Sequence, residues 1–188
     1  MQQQATNTRA IVEAGLAIAL AVVLRQIPGI QMPFGGEVTW AAMVPLIVIA
    51  LRHGPRVGIT AGLVFGFTRF LQDPASFKIH WVQIILDYFT AFGALGLAGF
   101  FPRRPYLGTT VAIAGRFISH FISGMVFFSQ WAPEAMKQWA GAWTPAVYSF
   151  LYNGAYMGPE LIINLVVVGI VWRALSRQRG VVTGGEAR

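Results

Sequence analysis

The sequence predicts an all-α integral membrane protein of about six transmembrane helices, with both termini in the cytosol. Three observations predict it. Of 188 residues, 55% are hydrophobic and only 11% charged, too few charges to cover a soluble domain of this length. Apolar stretches recur from one end of the chain to the other, with a mean hydropathy of +0.58. The basic residues fall unevenly between alternate loops, which sets an orientation. No linker-like or low-complexity segment divides the chain, so residues 1–188 are expected to form a single membrane domain.

The polar start MQQQATNTRA reads as a cytosolic leader, since no cleavage pattern follows a short apolar core. The first span is expected over residues 10–27, stopping before Pro28 and Gly29. The second, over 38–51, ends at Arg52-His53-Gly54-Pro55, and the third, over 57–71, is closed by Asp73-Pro74. The fourth covers 81–101 and stops at Pro102-Arg103-Arg104-Pro105. The fifth covers 106–131, and the sixth covers 146–175 with Pro159 inside it. The second and third fall short of the ~20 residues a perpendicular helix needs.

With an even number of spans, Arg9, Arg52, Arg56, Arg103, Arg104, Arg173, Arg177, Arg179 and Arg188 share the side of the termini. The opposite loops hold only Arg25, Arg69, Lys78 and Lys137, and Arg116 falls within a span. By the positive-inside rule the richer side is cytosolic. The net charge of +7 is therefore read as loop and headgroup charge, and no nucleic-acid partner is expected. Small residues recur at four-residue spacing in Gly58-Gly62-Gly66 and in Gly15-Ala19, rows that let helix backbones approach closely. For the third-span row, packing inside the chain is the expectation.

Charged groups inside the hydrocarbon cost roughly 2.5–3.5 kcal/mol each on insertion scales, so each needs a reason. The candidates are Glu13, Asp87, Arg116, His120 and Glu160, with Asn153 and Asn164 as neutral company. At ~1.5 Å per residue, Asp87 and Asn153 lie roughly 9–10 Å below the outer face and His120 about 16 Å below it. Aromatic residues surround them: Tyr88 beside Asp87, Phe128 two turns above His120, and Tyr148 just before Asn153. A carboxylate among aromatic faces suits an organic cation, and amide and imidazole groups suit a nitrogen heterocycle. Arg116 and Glu160 are expected to relieve one another as an intramembrane ion pair.

Several chemistries are missing. The chain has no cysteine, which excludes disulfides and thiolate metal sites. Neither lysine sits in a phosphate-binding G-x-x-x-x-G-K-[ST], so ATP chemistry needs a partner. H-E-x-x-H and G-x-S-x-G are absent as well. No enzyme activity, metal or cofactor is expected.

Five segments, in order, carry a resemblance: EAGLAIALAVVL, MVPLIVIALRHGPRVGITAGLVFG, QIILDYFTAFGALGLAGF, GRFISHFISGMVFFSQWAP and VYSFLYNGAYMGPE. Over about residues 9 to 175 the chain resembles the thiamine-specific substrate-binding components of energy-coupling factor transporters. The resemblance implies a thiamine pocket near the outer face, built mainly from the fourth to sixth helices and the loop after the first. The family's acidic-Tyr pair matches Asp87-Tyr88, where many members have Glu, one methylene longer. Its basic-x-x-x-His-x-x-x-Gly matches Arg116, His120 and Gly124, and its sixth-helix Tyr and Asn match Tyr148 and Asn153. Phe128 stands where some members carry Trp, and Phe34 and Trp40 are the candidates for a loop Trp.

The resemblance further implies a bacterial cytoplasmic membrane location, a membrane-embedded coupling subunit meeting Gly15 and Ala19, and two cytosolic ATPase subunits. Thiamine pairs a cationic thiazolium with an aminopyrimidine. Asp87 is then its counter-charge, Tyr88, Phe128 and Tyr148 its stacking faces, and His120 and Asn153 its hydrogen-bond partners. Arg116 either orients the carboxylate or pairs with Glu160. Two rival readings are a binding component for another vitamin or a thiamine precursor, and a stand-alone proton-coupled carrier using Asp87, His120 and Glu160 as a relay.

Overall fold

Turn chemistry divides the chain into helices. In the computed structural model, residues 2–184 are described, with side chains over 8–33 and 35–176. Helix α1 spans Gln2–Arg25 and gives way to Pro28 and Gly29. A small antiparallel hairpin follows, β1 Ile30–Gln31 and β2 Glu37–Val38, with Ile30 opposite Val38 and a Pro33–Gly35 turn between them. Helix α2, Val44–His53, has Pro45 in its first turn, where a missing N–H costs nothing. Gly54 ends it at φ 89°, a conformation that glycine adopts without strain, and Pro55 starts α3, Pro55–Gln72.

The next two helices are long rods with a local change of winding. Helix α4 runs Trp81–Phe100 and α5 runs Pro105–Trp131. Each contains a π-helical segment, Ile85–Thr90 in α4 and Gly124–Phe128 in α5. Short helix α6, Glu134–Ala140, and a turn at Gly141 lead to α7, Thr144–Gly184, with Pro159 inside it. Trp81–Phe100, Pro105–Trp131 and the run Glu134–Ser176 are long and apolar enough to cross a membrane.

The expected second span starts too early. Residues 37–38 are a strand, and the helix begins only at Val44. The cause is long-range: the Thr39 N–H and hydroxyl both donate to the Glu160 carboxylate on α7, and Ala41 takes φ 62°. The ten residues of α2 reach only ~15 Å. The first helix begins earlier than expected, at Gln2. The side chains of Arg177 and Arg179, and all of Arg188, lie outside the described residues.

The third-span glycine row packs inside the chain. A Cβ on Gly62 would lie 2.1 Å from the Phe92 carbonyl oxygen, and one on Gly66 the same distance from that of Tyr88. Helices α3 and α4 therefore touch backbone to backbone. Phe65 packs edge-on against Phe92 at 5.0 Å, within a core that includes Leu46, Leu51, Leu95, Ile113 and Val168. Large apolar side chains also cover the outside, among them Leu16, Ile118, Val126, Ile162 and Ile170, as a lipid-facing surface requires.

Candidate functional site

One cavity of ≈ 900 Å³, its open mouth included, gathers four of the candidate polar residues, Asp87, Arg116, His120 and Asn153. Asp87, Tyr88, Arg116, His120, Gly124, Phe128, Tyr148 and Asn153 all line it. Trp40 does not: it is exposed, and its indole N–H donates to the Pro28 carbonyl at 2.9 Å. The Phe34 side chain lies outside the described residues.

Asp87 sits in the π-helical part of α4, where the widened turn moves successive side chains off the α-helical register. Its carboxylate accepts from Gln83 Nε2 at 2.7 Å, Ser123 Oγ at 2.8 Å and His120 Nδ1 at 2.9 Å. Three hydrogen bonds offset much of the cost of burying it. Asp87 and His120, expected at similar depths in the outer half, touch across α4 and α5. His120 Nε2 is buried without a hydrogen-bond partner among the described residues.

Charge on the cavity is otherwise cancelled in pairs. Arg25 meets Glu37 at 2.5 Å, Arg69 meets Asp73 one turn along α3, and Arg116 meets Glu160 at 2.5 Å. Arg116 thus pairs with Glu160 while also bordering the cavity, and its guanidinium lies over the Phe92 ring at 5.2 Å. Among the described residues, Asp87 is the lining carboxylate that no arginine or lysine neutralises. Glu13 lies elsewhere, held by Arg9 at 2.8 Å, Arg52 at 3.1 Å and His53 at 2.8 Å.

Aromatic rings form much of the wall. Tyr148, Tyr152 and Tyr156 follow one another up one face of α7, with ring centroids 5.9 Å apart at each step. Tyr152 also fastens the hairpin: its hydroxyl accepts from the Gly36 N–H at 3.0 Å and donates to the Pro33 carbonyl. Asn153 Nδ2 donates to the Ser149 carbonyl at 2.9 Å, and its Oδ1 accepts from Tyr156 at 2.9 Å, leaving one carbonyl lone pair. Gly124 permits the contact between α5 and α7, because a Cβ there would lie 2.3 Å from Ser149 Oγ.

Sequence reasoning missed Gln83, Ser123, Tyr152 and Tyr156. The two tyrosines were readable, since they repeat at four-residue spacing from Tyr148. Gln83 lies one turn before Asp87, and Ser123 three residues after His120.

Comparison with known proteins places this architecture. Residues 11–179 match the sequence model of a family described as thiamine transporter protein. The thiamine transporter ThiT of Bacillus subtilis is 32% identical over 185 residues, covering 89% of this chain and 92% of that protein. ThiT of Lacticaseibacillus paracasei is 26% identical over 187 residues, covering 90% and 89%. The solved structure of ThiT from Listeria monocytogenes superposes with a TM-score of 0.74 at 21% identity, over 92% of this chain and 97% of that one. It shares the fold.

Proposed function

The chain belongs to the thiamine transporter protein family, and from that premise we propose that it captures thiamine in the cavity around Asp87. One observation carries the reading. Asp87 is a part-buried carboxylate with only neutral hydrogen-bond partners and a histidine, in a cavity whose arginines all have their own acids. Such a cavity suits a flat organic cation. At an effective dielectric of ~20, a cation about 5 Å from the carboxylate gains about 3 kcal/mol, roughly a hundredfold in affinity. Tyr88, Phe128 and Tyr148 supply ring faces. His120 Nε2 and the remaining lone pair of Asn153 supply directional bonds, and Gly124 lets α5 and α7 close together behind them.

The wider proposal is a single membrane domain of six spans in a bacterial cytoplasmic membrane, both termini cytosolic, taking substrate from the outer face. The uneven distribution of arginine between loops supports that orientation. Since the sequence has no P-loop, we assign the energy to partners: a membrane-embedded coupling subunit and two cytosolic ATPases of an energy-coupling factor importer. Gly15 and Ala19 on α1 are the proposed contact with the coupling subunit, and both are exposed, with open space at Gly15. A proton relay through Asp87, His120 and Glu160 is the weaker reading, because Glu160 is held by Arg116 and Thr39.

Reconstituted vesicles separate the two. The protein alone is expected to bind thiamine and not accumulate it, with accumulation restored by partner subunits and ATP. Sustained uptake driven by a proton gradient without partners contradicts the proposal and favours a carrier.

A further inference from the structure

Gln83 is 2% exposed and lines the cavity, four residues before Asp87 on the same face of α4. Its amide has a fixed sense. Carboxylate oxygens only accept, so the end 2.7 Å from Asp87 Oδ2 is the NH2 group. The opposite end, Oε1, is buried with no hydrogen-bond partner among the described residues. A buried carbonyl left unmade is costly, and in a binding site it marks a bond that a ligand completes.

The neighbouring carboxylate has matching spare capacity. Asp87 Oδ2 already takes two donors, Gln83 Nε2 and Ser123 Oγ, while Oδ1 takes only His120 Nδ1. With two acceptor positions per oxygen, one remains on Oδ1. The cavity edge at Gln83 and Asp87 thus presents two adjacent acceptors, and a group with two N–H bonds fills both.

We propose that Gln83 is a specificity-determining residue that reads an exocyclic amino group on the substrate through Oε1, while its Nε2 holds Asp87 in place. The inference rests on the thiamine reading, in which that group is the amino substituent of the pyrimidine. It explains why the glutamine is buried: a leucine there fills the space but offers the substrate nothing. Replacing the amino group by a ring carbonyl sets an acceptor against two acceptors, which the site rejects.

The test is calorimetric titration of the purified, detergent-solubilised protein with thiamine and with its 4-oxo analogue. Wild type is expected to prefer thiamine by roughly tenfold or more, as one directional hydrogen bond allows. Gln83→Met should lose affinity for thiamine and little for the oxo analogue, so that the preference collapses. The wild-type comparison of the two ligands needs no variant, and it holds the inference to account if the Met variant does not fold. Equal losses for both ligands in Gln83→Met, or an oxo analogue bound as well as thiamine by wild type, overturn it. Wild type binding neither ligand refutes the thiamine reading itself, a different outcome from either.

Discussion

Arg116 and Glu160 show how single residues are made tolerable inside this protein. Both are buried, 7% and 0% exposed at the side chain, and they meet at 2.5 Å across α5 and α7. Thr39 adds its hydroxyl and N–H to the same carboxylate, so the pair also anchors the chain between the hairpin and α2. Removing one partner strands the other charge, which typically costs ~3–5 kcal/mol, whereas removing both replaces an ion pair with apolar packing. Glu160→Ala is therefore expected to lower thermal stability sharply. Arg116→Met combined with Glu160→Met should recover much of the loss, as read by thermal unfolding in detergent. A double variant as unstable as the single one would show that Thr39, not the uncompensated guanidinium, is the source. These costly charges were readable from the sequence because the membrane makes them rare. Gln83 and Ser123 were not, because small neutral groups are unremarkable on a helix until a partner is seen.

Among elements, two rows of small residues have opposite environments. On α3, Gly62 and Gly66 press against the backbone of α4, with no room for a side chain. On α1, Gly15 faces open space and Ala19 is exposed. Gly66→Val is expected to force α3 from α4 and lower stability by a few kcal/mol, with thiamine binding lost alongside, since Tyr88 lines the cavity. Gly15→Leu or Ala19→Leu should leave melting temperature and thiamine affinity near wild type and impair uptake only in vesicles holding the full set of partner subunits. Parallel melting, titration and uptake measurements check both. A fall in affinity for the α1 variants equal to the fall in uptake would place that row inside the chain. Spacing alone exposes such rows; which one a chain keeps for itself depends on tertiary packing. The same limit hid the hairpin, since two-residue strands carry no periodicity, and shifted the start of α2, ahead of which Thr39 is tied to Glu160, 121 residues away.

At the scale of the whole molecule, an inside-out distribution of polarity makes the cavity. Large apolar side chains cover the outside, while polar groups collect inward and, on the cavity, cancel pairwise until Asp87 remains. The long apolar rods and the residues that converge on the cavity were legible in the sequence, because hydrocarbon thickness fixes span length and penalises stray charge. The π-helical winding around Asp87, where it meets His120, was not, because it is settled by packing against neighbouring helices. The charge of the cavity is read by calorimetry with thiamine and a neutral analogue in which a flat thiophene ring replaces the thiazolium. Wild type should bind the cation roughly a hundredfold more tightly, and Asp87→Asn, which keeps the shape and one acceptor oxygen but removes the charge, should lose most of that preference. Asp87→Asn binding thiamine as tightly as wild type would contradict this, showing that the carboxylate serves only its internal partners.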